Sequence, residues 1–371
     1  MSDLVARGWQ ENTAGPEPGL LTCPTATTCY VEGDSATSPT GPADMNSLYI
    51  STDGTQTWSV LPVPAHVTFT SVLACATQDT CSAGGLYYGR QPVYLSTTSG
   101  GHSWTASPLP AGMGVIDELT CATMTHCRGL AAPAGTSFAG PSPRTSLVTT
   151  LDGGRHWTVS AFPTGDAIQS VSCPTAAQCV AAGVAEPHQV AAIALVSHDG
   201  GASWRRAVIR MPQSVSANPE VTCEDARHCQ MLGYYMGPGN AYDSQYSVFD
   251  SSVDGGATWT STTFPLSIPY PRLEALACPT VQTCYAAGGD LIPQRVGGAL
   301  NEQSSVVAVT HDAGRTWQRV TFAVPAKVPS GMQADSFMTI GQIECPEPDA
   351  CVAIGVSDQG SASTPVYTNH G

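Results

Sequence analysis

Ser197-His198-Asp199-Gly200-Gly201-Ala202-Ser203-Trp204 decides the reading of this chain, because near copies of it recur from end to end. They are Ser51-Thr52-Asp53-Gly54-Thr55-Gln56-Thr57-Trp58, Thr97-Thr98-Ser99-Gly100-Gly101-His102-Ser103-Trp104, Thr150-Leu151-Asp152-Gly153-Gly154-Arg155-His156-Trp157, Ser252-Val253-Asp254-Gly255-Gly256-Ala257-Thr258-Trp259 and Thr310-His311-Asp312-Ala313-Gly314-Arg315-Thr316-Trp317. Trp58, Trp104, Trp157, Trp204, Trp259 and Trp317 thus share one pattern, Ser/Thr-x-Asp-x-Gly-x-x-Trp. The remaining tryptophan, Trp9, lies near the start, and Thr368-Asn369-His370-Gly371 reads as the front half of the same motif, so one copy is split between the two ends.

A tight turn explains the pattern. A short carboxylate accepts hydrogen bonds from N–H groups of its own turn, glycine permits positive φ, and the Ser/Thr hydroxyl adds a local bond. The tryptophan then opens the outgoing strand and buries a large surface, with its indole N–H expected to find a carbonyl. On these residues the motif resembles the Asp-box, or BNR repeat, of sialidase-like and related β-propellers. The resemblance implies a structural staple at Asp53, Asp152, Asp199, Asp254 and Asp312 with the tryptophans. Ser99 and His370 stand where the aspartate belongs, so those two turns should be less well tied.

Cysteine is the second signal. The fourteen form pairs of one spacing: Cys23/Cys29, Cys75/Cys81, Cys121/Cys127, Cys173/Cys179, Cys223/Cys229, Cys278/Cys284 and Cys345/Cys351. Each brackets a short turn between β-like runs, which makes local disulfides across hairpin necks the simplest pairing. Metal binding is the rival, but zinc sites favour fewer intervening residues and need four converging ligands. Disulfides in this number imply an oxidising compartment, so the chain reads as the mature part of an exported protein. A net charge of -15, with Lys327 as the one lysine, disfavours nucleic acid and anionic membranes. No apolar run reaches membrane-spanning length, and no cofactor motif or signal peptide is visible.

Together the two signals order each repeat as strand, cysteine turn, strand, variable loop, strand, Asp-Gly-Gly turn, strand. In the fourth repeat these are Ile168 to Ser172, Cys179 to Val184, Gln189 to Ser197 and Ser203 to Ile209. The expectation is an all-β, seven-bladed β-propeller occupying residues 1–371 as one domain, a monomer, with four antiparallel strands and one C-x5-C disulfide hairpin per blade. The last repeat stops at its third strand, so Ala6 to Thr13 should supply the fourth and close the ring.

In such blades both conserved turns project from one face, and the irregular loops from the other, where binding groups usually reside. On those loops Tyr87, Tyr88, Arg90, Tyr234, Tyr235, Tyr242, Tyr270 and Arg295 are candidates for stacking and holding sugar rings. Candidate catalytic carboxylates are Asp117, Glu118, Glu220, Asp243, Glu274 and Asp290, two of which would have to flank a glycosidic bond. Glu118, Glu220, Glu274 and Glu344 each precede a cysteine by one to four residues, which admits either a carboxylate-lined pore or a habit of the repeat.

Sialidases, as the resemblance has it, clamp a carboxylate with three arginines. Their Arg-Ile-Pro motif is absent, so that activity is not carried over. Asp-box propellers with seven blades also occur in xyloglucanase-like hydrolases, where two propellers share a cleft, and in the photosystem II assembly factor family, which binds protein. The leading expectation is an exported, glycan-recognising propeller, hydrolytic if two carboxylates converge at the channel mouth. The alternatives are a non-catalytic module that binds protein at a cell surface, and a sensor ectodomain of a longer protein.

Overall fold

The computed structural model describes residues 10–12, 17–34, 47–135, 145–163, 166–185, 192–210, 219–235, 246–264, 271–292, 302–320, 338–357 and 366–370. Val, Ala, Thr and Ser runs bounded by Gly, Pro and Asp form short strands throughout, as β-branched and small residues at such boundaries should.

The first sheet is Glu17–Thr22, Cys29–Asp34, Ser47–Ser51 and Ser59–Leu61. Val67–Cys75, Cys81–Tyr87, Gln91–Thr97 and Thr105–Pro108 make the second. The third is Met113–Cys121, Cys127–Pro133, Ser146–Thr150 and Thr158–Ala161. The fourth is Ala167–Ser172, Cys179–Val184, Ala192–Ser197 and Arg205–Arg206. The fifth holds Glu220–Cys223, Cys229–Tyr235, Tyr246–Ser252 and Thr258–Thr263, with Val208–Arg210 added at its edge. Pro271–Ala277, Cys284–Ile292, Glu302–Thr310 and Gln318–Val320 form the sixth. The closing sheet joins Met338–Glu347, Ala350–Ser357 and Val366–His370 to Gln10–Asn12, with Gln10 opposite Thr368 and Asn12 opposite Val366.

The expectation of a seven-bladed propeller built from equivalent four-stranded antiparallel blades is therefore corrected. Among the described residues six sheets are four-stranded antiparallel blades, and the fifth is a five-stranded mixed sheet. The cause lies in the strand expected over Ser203 to Ile209. It breaks after Arg206, and Val208–Arg210 leaves its own blade to run parallel to Thr258–Thr263 of the next. Ala207 still donates to Ala194 O at 2.8 Å, while Val208 donates to Ala257 O at 3.1 Å, so the chain changes sheets across one peptide. Ala207 and Ile209 pack against the cluster that includes Val180, Val196 and Trp259, which rewards the crossing with apolar burial.

First strands of consecutive sheets touch one another, and Glu17–Thr22 touches Met338–Glu347, so the inner strands form a closed ring. Apolar clusters fill the spaces between neighbouring sheets. Trp104 packs with Leu20 and Leu48 of the sheet before it, Trp157 with Val72 and Tyr94, Trp204 with Leu130 and Leu147, and Trp317 with Leu232 and Phe249. The expected indole hydrogen bond is the exception, not the rule. Trp157 Nε1 donates to Gly154 O at 3.2 Å, whereas the Nε1 atoms of Trp58, Trp104, Trp204, Trp259 and Trp317 are buried without a partner. These rings act by area and shape. Trp9 lies outside the described residues.

All fourteen cysteines are paired within their own hairpins, at Cα separations of 3.9–4.1 Å. Each sheet carries one such disulfide, and the backbone pairing at its neck varies from sheet to sheet. Cys75 lies directly opposite Cys81, Cys121 opposite Cys127 and Cys223 opposite Cys229. In the closing sheet the strands instead run past the disulfide, to Glu347 opposite Ala350, with a register shift after Glu344. The buried Cys351, like Cys29, Cys179 and Cys284, is registered only on its outer side, here against Asn369. The Cα atoms of Cys345 and Cys351 nonetheless stand 4.1 Å apart, as in the other hairpins.

Cysteine turn and Asp-Gly-Gly turn of one sheet are tied together. Gly54, Gly100, Gly153, Gly200 and Gly255 donate N–H bonds of 2.8–3.0 Å to Thr27, Asp79, Thr125, Ala177 and Arg227 in the adjoining cysteine turns, and Ala313 does so to Gln282.

Inside the Asp199 turn, Ser197 Oγ donates to Asp199 Oδ1 and accepts from Gly201 N–H at 2.7 Å, while Asp199 accepts from the N–H and hydroxyl of Ser203 at 2.8 and 2.5 Å. The Ser203 hydroxyl and N–H, then Ser197, hold the Asp199 carboxyl down at about 2. Asp53 is likewise held at about 2, chiefly by Thr57, and Asp152 by His156. At Asp254 and Asp312 partial desolvation opposes the effect, yet the hydroxyls and N–H groups of Thr258 and Thr316 win and the carboxyls are lowered. Ser99 offers a single oxygen in place of two and still accepts from Ser103 N–H at 3.0 Å.

Gly201 combines two demands. Its φ is +93°, and a Cβ there would collide with Leu147 Cδ2 in the preceding sheet. Positive φ strains any other residue, and the contact would force two packed sheets apart. Gly201→Ala is expected to destabilise the fold by about 2–4 kcal/mol, read as a lowered denaturant midpoint at unchanged slope. A midpoint equal to wild type would remove the argument.

Candidate functional site: a channel collared by carboxyls

Two cavities lie end to end along the ring of inner strands. One, of about 410 Å³, is lined by residues four and three places before the first cysteine of several sheets, among them Asp117, Glu118, Gln169, Glu220, Glu274 and Gln342. The other, of about 370 Å³, reaches down to Cys278 and Cys345 at the cysteine-turn end. Both are bounded by Glu118, Glu220, Ile343 and Glu344, which form a collar between them.

Strand alternation explains why these side chains point inward. Residues two before the cysteine, such as Leu21, Val171, Val221 and Leu276, turn into the apolar spaces between sheets. In four sheets the neighbour three before the cysteine turns the other way and accepts the N–H of the next sheet's inner strand. Glu118 Oε2 accepts from Val171 at 2.8 Å, Ser170 Oγ from Val221 at 3.1 Å, Glu220 Oε2 from Leu276 at 2.9 Å and Gln342 Oε1 from Leu21 at 2.8 Å. Ser170 also donates its hydroxyl to Glu118 Oε1 at 3.2 Å. At the same place Leu20, Val72 and Ala275 carry no polar group, so the belt runs part of the way round.

The collar is half-buried. Glu118 and Glu220 keep slight water contact but are walled in by protein, and burial pushes both carboxyls up to about 8 against their backbone bonds. Glu220 adds to the rise at Glu118, and Glu344 to that at Glu220. Burial raises Glu344 itself to about 7. Asp117 is exposed to channel water by area yet sits among enclosing strands, and desolvation lifts it to about 6. Glu274 is held differently, accepting from Arg272 Nε at 2.6 Å.

Of the residues singled out in the sequence, Asp117, Glu118, Glu220 and Glu274 meet at one cavity. Asp290 lies on Cys284–Ile292, and Tyr234 and Tyr235 on Cys229–Tyr235, but their side chains are outside the described residues. Asp243, Tyr242, Tyr270 and Arg295 lie outside them altogether. Tyr87, Tyr88 and Arg90 sit in a tight hairpin end, since the strands on either side extend through Tyr87 and from Gln91, where a longer loop was expected. Tyr88 is 63% exposed and stacks on His66 at 4.5 Å and 19°. Both residues hold positive φ, 51° and 65°, and Tyr88 N–H donates to His66 O at 2.8 Å. None of the three borders the channel cavities. Gln169, Ser170 and Gln342 were missed. Their signal was available, as a polar residue recurring three or four places before the first cysteine.

No protein-family model matches the sequence, and no curated relative is found by it. Solved structures do match. The fold is similar to that of YCF48 β-propellers. A structure described as YCF48 bound to D1 peptide aligns over 98% of this chain and 97% of its own, with a TM-score of 0.62 at 15% identity. YCF48 from Cyanidioschyzon merolae covers 98% of both chains at a TM-score of 0.58 and 14% identity. A glycoside hydrolase of family GH74 from Niastella koreensis aligns over 93% of this chain but 55% of its own, with a TM-score of 0.41 at 13% identity. At such identities the likeness is one of fold.

Proposed function

We propose that this chain is a non-catalytic binding propeller that holds a segment of another protein at the channel mouth away from the cysteine turns. The observation that carries the reading is the shared environment of the collar's three carboxyls: burial raises Glu118, Glu220 and Glu344 alike, while the Glu274 carboxylate at the same cavity is held by Arg272. A glycosidase of the usual kind needs one carboxyl kept ionised while its partner stays protonated, so the two must be pushed apart. Moreover, Glu118 and Glu220 are already spent on bonds between sheets. A polar cavity of about 410 Å³ suits a few side chains of a peptide. Support also comes from the end-to-end match to a propeller described with a bound peptide. The disulfides indicate an oxidising, extracytoplasmic setting, and the reading extends to a secreted or surface-held protein.

Parallel screens on peptide and glycan arrays test this. Peptide ligands are expected, weakened about tenfold by Asp117→Ala, which alters the chamber and leaves the belt intact. Release of reducing sugar from any glycan, abolished by Glu118→Gln or Glu220→Gln, would overturn it. A second reading rests on the exposed Tyr88–His66 stack, which offers a platform for a sugar ring. On that reading Tyr88→Ala abolishes glycan binding while the peptide ligands are retained.

A further inference from the structure

Away from that channel mouth, on the cysteine-turn face between the third and fourth sheets, lies a cavity of about 360 Å³ lined by Thr120, His126, Arg128, Pro174, Thr175 and Ala176 among others. Arg128 is 7% exposed. Its Nη1 and Nη2 donate to Thr175 O at 2.9 Å and Ala176 O at 2.5 Å, the turn of the next sheet. Its Nε has no partner, nor has Nε2 of His126 beside it. Among the described residues no carboxylate forms an ion pair with this guanidinium, whereas Arg206 and Arg272 have Asp166 and Glu274.

Clamping the next turn does not require a cation. Arg128 directly follows the second cysteine of its hairpin, and at the same place Tyr30 and Tyr285 make the equivalent bond with a neutral phenol, to Gln78 O and Pro348 O at 2.6 Å each. The charge on Arg128 is surplus to that role. A guanidinium buried without a counter-ion is costly, and an anion that supplies one recovers the cost. In support, desolvation lowers the pKa of Arg128, while desolvation and the Arg128 charge lower that of His126.

We propose that this cavity is a carboxylate-binding site, taking a carboxylate on a small apolar body with Arg128 and His126 as its polar contacts. The walls supplied by Pro174 and Ala176 favour an aliphatic body over a bare, strongly hydrated oxyanion. Such a group comes either from a free aliphatic acid or from the C-terminus of a partner chain, and the two can be separated.

Thermal unfolding of the intact chain would be followed in sodium propionate and in sodium chloride of equal ionic strength, alongside titration with N-acetyl-Ala-Val as the free acid and as the amide. Propionate is expected to raise the transition of the wild type above that in chloride. In Arg128→Tyr, which installs the side chain that serves at Tyr30 and Tyr285, the gain should vanish. The peptide acid should bind about tenfold or more tightly than the amide. Response to both propionate and peptide acid indicates a free acid as source, and response to the peptide acid alone indicates a partner's C-terminus. A propionate gain that persists in Arg128→Tyr, equal binding of acid and amide, or no response to either carboxylate would overturn the site. The acid-against-amide comparison needs no variant, and none of these outcomes bears on the channel.

Discussion

Excess dithiothreitol at neutral pH is expected to unfold this protein without heat or denaturant. Each disulfide closes a hairpin of only a few residues, worth about 2 kcal/mol in loop-closure entropy. Individually that is modest. Across the seven hairpins it comes to about 14 kcal/mol, comparable to the roughly 5–15 kcal/mol by which a typical domain is stable. The second cysteine of each pair, from Cys29 to Cys351, is buried, so reduction should be slow and accelerate with the first openings. Loss of the near-ultraviolet circular dichroism and of the cooperative thermal transition would mark the outcome. A reduced chain melting within a few degrees of the oxidised one would show that the apolar clusters between sheets suffice.

Stability should also peak in mild acid and decline as the solution becomes alkaline, the reverse of the trend that ion-paired carboxylates impose. For Glu118 and Glu220 the folded carboxyl titrates near 8, far above its unfolded value. Between those two values the unfolded chain has released the proton and the folded chain retains it, so folding is penalised increasingly as pH rises. Asp53, Asp152 and Asp199 act oppositely: held at about 2, they stabilise the fold above the usual carboxylate range and lose that contribution as pH falls through 2. The two trends leave a maximum near about pH 4–5. Glu118→Gln with Glu220→Gln keeps an oxygen for Val171 and Leu276, as Gln342 already does for Leu21. The pair should flatten the alkaline limb and raise stability at about pH 9 by about 1–2 kcal/mol per site, allowing for water in the channel. Unchanged pH dependence in the double variant would mean that these two carboxyls are ionised in the folded chain.

Much of this architecture is legible in the sequence because two turns recur with their chemistry intact. Asp199, Gly201 and Trp204 announce a tight turn and a packed ring, and the C-x5-C spacing announces a hairpin neck. The termini were legible too, since a motif cut between Trp9 and His370 requires the strand that Gln10–Asn12 provides. The crossing of Val208–Arg210 into the next sheet was not. Ser203 to Ile209 has ordinary strand composition, and a parallel edge pairing depends on a neighbour some fifty residues away. Nor was the shifted register between Cys345 and Cys351, because spacing fixes which sulfurs meet and not how the backbone pairs between them. Similarly, the carboxylates were visible as residues but not as a belt, because their partners are backbone N–H groups of the following sheet, which leave no mark on side-chain identity. Arg128 fell outside the candidates for a related reason: only the fold puts a guanidinium, an imidazole and the next cysteine turn around one cavity.

A site-resolved carboxyl titration by NMR, with carbon-13-labelled glutamate and aspartate and Glu118→Gln, Glu220→Gln and Glu344→Gln for assignment, reaches the centre of the account. All the collar carboxyls are expected to titrate above the ordinary range, with Glu118 and Glu220 near 8 and Glu344 near 7. One member ionising below the ordinary range while its neighbour stays protonated would contradict the account, and would restore the divided pair that glycan hydrolysis needs.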